Sequence, residues 1–207
     1  MKKLLHFAMK EEAASVVEIP EEVQLPTFIE LEDKDYDVWV TGIGTPAIVR
    51  AIDIVPWDNY FEIVNIGYAG CNEDSLNLGD IAQVKRVSHL DFYLPGNEPT
   101  VHPYIDNENL LFIRELNLPL VECMSSNRFV TNDHLNYIYN GGCYVTGLYD
   151  MEAATLYDLA KGKGKYLTSV KVVSDKLSSE EFDSSVVNLK ERLAEAVNIV
   201  LGIEKEN

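Results

Sequence analysis

The sequence predicts an α/β sandwich built around a largely buried, mixed or parallel β-sheet. Predicted strands and helices alternate along most of the 207 residues, which is typical of a sheet covered by helices. Several strands are continuous apolar runs, which indicates burial on both faces. The content of 46% hydrophobic and 25% charged residues is that of a globular protein, and we expect a single domain over residues 1–207.

Seven strands are predicted from short apolar or β-branched runs. Residues 36–41 alternate as Tyr-Asp-Val-Trp-Val-Thr, and residues 62–67 form a β-rich run that ends at Tyr68-Ala69-Gly70. The last apolar run stops at Ser174-Asp175. In chain order, the predicted strands cover residues 3–8, 36–41, 62–67, 81–90, 120–124, 143–148 and 166–173.

Six helices are predicted around these strands. Pro46 is well placed in the first turn of one of them. In the C-terminal segment, five apolar residues recur at spacings of three and four, which puts them on one helix face. They are Val186, Leu189, Leu193, Val197 and Val200. The predicted helices cover residues 11–18, 46–54, 106–116, 131–139, 151–161 and 184–201.

Composition excludes several classes of protein. Lys and Arg number 17 against 34 Asp and Glu, so the formal net charge is -17. A duplex nucleic-acid binder needs a basic face, and an anionic membrane surface would repel the chain for the same reason. No apolar run is long enough to predict a membrane span.

Cysteine and histidine usage predicts neither a disulfide framework nor a metal site. The three cysteines, Cys71, Cys123 and Cys143, are odd in number and form no CxxC motif, which favours a reducing cytoplasm. The four histidines are scattered without ligand spacing, so we expect no metal and no cofactor.

Three acidic residues follow predicted strands. Glu12 comes after the first strand, Glu152 after a later one and Asp175 after the last. Because ligands of such sheets bind beyond the carboxyl ends of the strands, we expect the three carboxyl groups to converge on one cleft, beside glycine loops at 42–44 and 68–70. Each residue also has an ordinary structural interpretation, since acids favour helix N-termini and Ser174-Asp175 can cap the following segment.

Five segments occur in a characteristic order. They are residues 8–12 (Ala-Met-Lys-Glu-Glu), 41–44 (Thr-Gly-Ile-Gly), 65–70 with 78–81, 150–154 (Asp-Met-Glu-Ala-Ala) and 172–175 (Val-Val-Ser-Asp). In this order they resemble the purine and uridine nucleoside phosphorylase superfamily, and within it the 5'-methylthioadenosine/S-adenosylhomocysteine nucleosidases. The resemblance covers about the whole chain. It implies a three-layer sandwich around a central mixed β-sheet, cleavage of the N-glycosidic bond of a purine nucleoside, and a homodimer.

The resemblance implies a role for each carboxyl group. Asp175, oriented by Ser174, would protonate the departing purine at N7, which requires a pKa raised by burial or by a neighbouring acid. Glu152 would bind the ribose hydroxyls and offset the positive charge on the sugar, with Met151 packed against the ring. Glu12 would position and deprotonate the attacking water.

The resemblance also implies further contacts with the nucleoside. Phe129 would stack on the purine, although it has the ordinary interpretation of a core aromatic residue, and Val130 would bind the base through its backbone. The residues that would line the sugar, the 5' end and the loop after the central strand are Met9, Ile43, Ala69 and Gly70.

Charge favours water over phosphate as the nucleophile. Phosphorylases of the superfamily carry an Arg in the early loop and another on the central strand, whereas this chain has Lys10-Glu11-Glu12 and Asn65 there. The proline that follows the 42–45 loop points to a phosphorylase instead. Three alternatives stay open beside the predicted hydrolase: a hydrolase of another purine nucleoside such as a futalosine-like compound, a phosphorylase, and a non-catalytic nucleoside-binding protein.

Departures from the family pattern cluster near the base and the 5' group. Tyr68 replaces a small residue, Lys171 replaces an Arg, and the segment 176–182 is short. A lysine keeps the charge of an arginine but not its planar fork. These changes leave the predicted reaction type intact and concern the identity of the substrate.

Overall fold

The computed structural model describes residues 1–90, 114–139 and 146–203. In these ranges the strands are β1 Lys2–Phe7, β2 Thr27–Ile29, β3 Tyr36–Val40, β4 Tyr60–Cys71, β5 Ile81–His89, β6 Leu120–Ser125, β7 Leu148–Asp150 and β8 Tyr166–Asp175. The α-helices are α1 Lys10–Ala13, α2 Thr45–Ala51, α3 Asn132–Tyr139, α4 Ala153–Gly162, α5 Ser179–Ser185 and α6 Lys190–Leu201.

Three parallel strands form the centre of one mixed sheet. β4 lies between β1 and β8 and pairs in parallel with both, β3 pairs in parallel with β1, and the antiparallel β2 lies beyond β3. On the other side, β8 pairs with β5, β5 with β6, and β6 with β7, which returns to the end of β4. These pairings close a ring of five strands at one side of the sheet.

Helices cover both faces of the sheet. On one face, α4 buries Ala153, Ala154, Leu156 and Ala160 in a core that also contains Ile48 of α2. On the opposite face, α6 buries Leu193, Val197 and Val200, which the sequence pattern places on one side of the helix, and also Ala196. The prediction of a three-layer α/β sandwich around a central mixed sheet is confirmed.

The C-terminal helical segment differs from the prediction of one helix over 184–201. The chain forms α5, a 3-10 turn at Val186–Asn188 and then α6. The Ser185 hydroxyl donates to the carbonyl oxygen of Ser174, and Ser178 caps α5 by accepting the N–H of Glu181. The Ser185 bond ties α5 to the end of β8, so the helix breaks between α5 and α6 although the apolar spacing continues across both.

Other element boundaries also differ. The helix predicted over 11–18 is limited to α1, β2 was not predicted, and β4 is twice as long as its predicted run because its pairing continues to Cys71. Of the helix predicted over 106–116, residues 106–113 lie outside the described residues. Residues 114–116 are not helical, because the Gln83 side chain donates to the carbonyl of Arg114 and accepts the N–H of Leu116.

The strand predicted over 143–148 falls partly outside the described residues, at 143–145, and the strand that the structure contains begins at Leu148. The helix predicted from Met151 begins at Ala153, after Glu152 at its N-cap position. No helix among the described residues combines the length and the apolar character needed to cross a membrane.

Candidate active site

A cleft opens at the carboxyl ends of β1, β4 and β8, and it encloses about 670 Å³ including the space at its open mouth. All eleven residues that the sequence analysis assigned to a site line its wall: Met9, Glu12, Ile43, Ala69, Gly70, Phe129, Val130, Met151, Glu152, Ser174 and Asp175. The wall also contains six residues that were not assigned to the site: Ala8, Tyr68, Arg128, Tyr149, Asp150 and Phe182.

Glu12 is buried against the end of β1 and β4. Its Oε2 accepts the backbone N–H groups of Ala8 and Met9, both at 3.0 Å, and its Oε1 accepts that of Tyr68 at 3.1 Å. Burial raises the pKa of Glu12, against the lowering effects of Lys171 and of these three donors. A Cβ on Gly67 would lie 2.7 Å from Oε1, so glycine at 67 makes room for the carboxyl group.

Glu152 is held by the glycine loop between β3 and α2. The Gly44 N–H donates to its Oε1 at 2.7 Å, and both Gly42 and Gly44 have positive φ angles, 95° and 82°, which favour glycine. Burial, followed by the charge of Asp150, raises the pKa of Glu152 to about 8, against the lowering effects of Lys171 and the Gly44 N–H. The raised pKa therefore favours the protonated form of this carboxyl group near neutral pH.

This raised pKa predicts that Glu152 destabilises the fold at alkaline pH. The folded state keeps the proton up to about pH 8, whereas the unfolded chain releases it near 4.5, so the free energy of unfolding decreases as pH rises between these values. The contribution is at most about 1.4 kcal/mol per pH unit. Glu152→Gln should remove this pH-dependent contribution. Urea denaturation at pH 5 and at pH 8 measures it, and the variant should be more stable than wild type only at pH 8.

The matched control is Glu191→Gln on the exposed side of α6, which should keep the wild-type dependence on pH. An identical change in stability between pH 5 and pH 8 for wild type and Glu152→Gln would contradict the assigned protonation state.

Asp175 ends β8 and is fully buried. The Ser174 hydroxyl donates to its Oδ2 at 2.7 Å, and the Ser178 N–H donates to its Oδ1 at 3.1 Å. Burial raises the pKa of Asp175 in spite of these hydrogen bonds. A Cβ on Gly70 would approach its Oδ1 to 2.9 Å, so the glycine after Ala69 allows the carboxyl group to lie beside the end of β4.

A buried ion pair lies behind the carboxyl groups. The Lys171 ammonium is 2.7 Å from Oδ2 of Asp150, and the Ser125 hydroxyl and the Ala153 N–H also donate to Asp150. Burial opposes the ionisation of both groups. The charge of Lys171 nevertheless lowers the pKa of Asp150, and the charges of Asp150 and Glu152 raise the pKa of Lys171. From sequence, Lys171 stood out only as the replacement of an Arg, and Asp150 had no individual role. The acid directly before Met151 and the lysine within an apolar strand were the available signals.

Aromatic rings form one side of the cleft. Phe182 of α5 meets Phe129 edge-to-face with ring centroids 5.4 Å apart, and it meets Tyr68 in the same manner at 6.5 Å. Phe129 is 38% exposed, so it is available to a flat ligand rather than enclosed in the core. Phe182 could not be assigned from sequence, because α5 was not predicted.

Among the described residues that line the cleft, Arg128 is the single cationic one. Its side chain is exposed, and within the described residues its guanidinium makes no ion pair. The described residues contain no group of three or more His, Cys, Asp or Glu side chains arranged to hold a metal ion. The wall thus combines buried acids, an aromatic side and one exposed guanidinium.

Comparisons with known proteins agree with this fold. The family model described as the phosphorylase superfamily matches residues 7–202, and no curated protein matches the chain in sequence. Among solved structures, the protein termed MTAN from Chlamydia trachomatis is 23% identical, with a TM-score of 0.70 and 97% of each chain covered.

Two structures from Helicobacter pylori match over a similar extent. The 5'-methylthioadenosine/S-adenosylhomocysteine nucleosidase, solved with butyl-thio-DADMe-Immucillin-A, is 18% identical, covers 98% of this chain and 99% of its own, and has a TM-score of 0.72. The futalosine hydrolase is 16% identical with a TM-score of 0.73 and 97% of each chain covered. At these identities the similarity establishes the fold.

Proposed function

Because the chain belongs to the phosphorylase superfamily, we propose that it hydrolyses the N-glycosidic bond of a purine nucleoside. The proposed substrate is 5'-methylthioadenosine or S-adenosylhomocysteine, and the products are adenine and a thioribose. The observation that carries this proposal is that three buried carboxyl groups with raised pKa values, those of Glu12, Glu152 and Asp175, line one cleft. The solved neighbours that are nucleoside hydrolases support it.

Asp175 is the proposed general acid. Breaking the bond between C1' and the purine leaves the electron pair on the base, so a proton donated to N7 stabilises the leaving group. The burial that raises the pKa of Asp175 favours the protonated form that this step needs. The Ser174 hydroxyl donates to Oδ2 and the Ser178 N–H donates to Oδ1, which is the oxygen beside Gly70 at the end of β4.

Glu152 is the proposed ribose ligand. As the bond breaks, positive charge develops on the sugar, and a carboxylate beside the ring stabilises it. The Gly44 N–H fixes Oε1, so Oε2 is the oxygen available to the ribose hydroxyls. Since the raised pKa of Glu152 favours its protonated form, we expect ionisation of this group to accompany productive binding.

Glu12 is the proposed general base. It removes a proton from the water that attacks C1', and the new bond to oxygen completes the hydrolysis. The proton of Asp175 leaves with the base, and the proton taken up by Glu12 returns through solvent, so each turnover consumes one water. Three backbone donors hold the Glu12 carboxyl group in place, and a raised pKa suits a base that works near neutral pH.

The charges around the cleft support water rather than phosphate as the nucleophile. A phosphate dianion needs cations and oriented donors, but Lys171 is already paired with Asp150. Asn65 occupies the position where the phosphorylases have an Arg. It is buried, and its side chain forms hydrogen bonds with His6 and Ser169. Arg128 alone is available on the described cleft wall, and it is exposed.

The test of this function is chromatographic measurement of adenine release from methylthioadenosine, with and without phosphate. Equal release in both buffers, together with free methylthioribose, is the expected result. A strict requirement for phosphate would establish a phosphorylase and would remove the proposed role of Glu12. Ligand binding without release in either buffer would establish a binding protein instead.

Glu12→Gln should reduce kcat by roughly 10²–10⁴-fold, because the amide keeps the shape of the side chain but cannot accept the proton of water. The measurement is the steady-state rate of adenine release. The adjacent Glu11→Gln is the matched control, since Glu11 is exposed on the same short helix and should leave kcat unchanged. A Glu12→Gln rate equal to wild type would show that another group activates the water.

Arg128 favours, as a second candidate, a substrate with an acidic 5' substituent, such as a futalosine-like compound. A guanidinium and a carboxylate form charge-assisted hydrogen bonds that a neutral substituent does not offer. Arg128→Ala should raise KM roughly 10-fold for a carboxylate-bearing nucleoside and leave KM for methylthioadenosine nearly unchanged. Arg50→Ala, on the exposed side of α2, is the control. Equal changes in KM for both substrates would contradict this selectivity.

We also propose a homodimer, as the resemblance implies. Ile43 is 54% exposed at the mouth of the cleft, and a second subunit would cover it. Light scattering after size-exclusion chromatography tests this proposal, and a mass of one chain would contradict it.

A further inference from the structure

A row of polar side chains crosses the centre of the sheet below the cleft. His6, Asn65 and Ser169 are direct neighbours on β1, β4 and β8. Two positions earlier on the same strands, Leu4, Ile63 and Leu167 belong to the core under α2 and α4. Because side chains alternate along a strand, the three polar residues point to that same face, where an apolar residue would ordinarily be found.

The hydrogen bonds in this row run in one direction. The Ser169 hydroxyl donates to Asn65 Oδ1 at 2.9 Å, which leaves the Asn65 amide to donate to His6 Nδ1 at 3.1 Å. His6 Nε2 lies 3.1 Å from the Thr41 hydroxyl, and this hydroxyl donates to the carbonyl of Gly42 at 2.7 Å. The Thr41 hydroxyl proton is donated to Gly42, so this hydroxyl can only accept a hydrogen bond from His6 Nε2. Because Nδ1 is an acceptor, the proton of the neutral ring lies on Nε2.

The row ends at the loop that holds Glu152. Thr41 follows β3 directly, its N–H donates to Phe7, and the Gly42 N–H donates to Ala8. Two residues later, the Gly44 N–H donates to Oε1 of Glu152 at 2.7 Å. The orientation of the loop backbone is therefore linked to His6 through one hydroxyl group.

We propose that His6 is a positioning residue that, through Thr41, holds the glycine loop of residues 42–44 in the orientation that presents the Gly44 N–H to Glu152. The catalytic consequence rests on the proposed role of Glu152 in binding ribose. The structural consequence, the orientation of the loop, does not depend on that role.

The surroundings of His6 exclude an acid–base role for its ring. Burial and the nearby Lys171 lower the pKa of His6 to about 3, with Asp150 acting in the opposite direction. The ring is fully buried and lies outside the cleft wall. At neutral pH the ring therefore stays neutral and acts as a fixed donor and acceptor.

The first test separates the two consequences without using activity. In the wild-type protein, nitrogen-15 NMR should show the His6 ring as the neutral Nε2–H tautomer. Amide hydrogen exchange at Gly44 should be about 10-fold faster in Thr41→Val, which removes the hydroxyl at nearly constant volume, and unchanged in Thr41→Ser. The opposite tautomer, or identical exchange at Gly44 in wild type and Thr41→Val, would overturn the proposal.

The second test measures catalysis and includes a readout that a merely structural role would not change. Thr41→Val and His6→Phe should lower kcat/KM by roughly 10–100-fold, with Thr41→Ser close to wild type. The pH dependence of kcat/KM should also shift, because loss of the Gly44 N–H makes ionisation of Glu152 require a higher pH. The charged groups that act on Glu152, which are Asp150, Lys171 and Glu12, are unchanged in these variants.

The outcomes distinguish this inference from the proposed function. Faster exchange at Gly44 with unchanged kcat/KM and an unchanged pH profile would overturn the positioning role while leaving the hydrolase intact. If the wild-type protein releases no purine but Thr41→Val still accelerates exchange, the proposed function fails and the loop orientation by His6 stands. Should His6→Phe not fold, the pair of Thr41 variants decides.

Discussion

Replacing Asp175 with asparagine should reduce glycosidic cleavage by roughly 10²–10⁴-fold while nucleoside binding stays measurable. The amide fits the same space and still accepts the Ser178 N–H on its oxygen, but it has no acidic proton to donate to the leaving base. Since the loss concerns the chemical step, kcat should fall far more than KM changes. The measurement is single-turnover adenine release together with calorimetric binding of methylthioadenosine.

The matched control is Asp183→Asn, because Asp183 is exposed on α5 close to the same cleft wall. It should leave both kcat and KM at their wild-type values. Activity of Asp175→Asn close to wild type would show that the purine departs without this acid. The general acid would then have to be another group.

Asp150→Asn should destabilise the fold by about 3–5 kcal/mol, because it leaves the buried Lys171 ammonium without its carboxylate partner. Both residues are buried, at 5% and 1% exposure, so solvent cannot replace the lost charge. Chemical denaturation at pH 7 measures the effect. The double variant Asp150→Asn with Lys171→Met removes both charges and should recover much of the loss, since replacing a buried pair costs far less than breaking it.

The same variant should change the pH dependence of activity. The charge of Asp150 raises the pKa of Glu152 and that of Lys171 lowers it, so neutralising Asp150 alone lowers the pKa of Glu152. The pH at which kcat/KM reaches its plateau on the acid side should therefore move to lower pH in Asp150→Asn.

For the stability prediction, a free energy of unfolding of Asp150→Asn within 1 kcal/mol of wild type, as for an exposed pair, would show that Asp150 and Lys171 do not act as a buried ion pair.

Sequence reasoning located most of the candidate site because its main residues share one local property. Glu12 follows β1 and Asp175 ends β8, and both of these strands run parallel to β4, so their carboxyl ends meet at one edge. Glu152 follows β7, which runs antiparallel to β4. Position at the end of a parallel strand therefore accounts for Glu12 and Asp175, whereas Glu152 reaches the same cleft from an antiparallel strand. Their chemical roles remain predictions until the substitutions above are measured.

The residues that were missed depend on contacts between distant segments. Asp150 and Lys171 lie on separate strands, and nothing in their spacing reveals that the two charges meet in the core. Phe182 reaches the cleft from α5, which the Ser185 hydroxyl ties to the end of β8. The prediction of one helix over 184–201 is wrong for a similar reason. Apolar periodicity carries no information about a hydroxyl group that bonds to a remote carbonyl.

What the sequence by itself determined is the layer architecture and the identity of the acids at the strand ends, because both follow from local hydrophobicity and from chain order. What only the tertiary structure decided is which polar groups satisfy one another. His6, Asn65 and Ser169 become a hydrogen-bonded row through the register of three strands, and the protonation of Glu152 depends on charges that other strands bring beside it. Register and burial are properties of the assembled sheet, since each buried polar group finds its partner on a different segment of the chain.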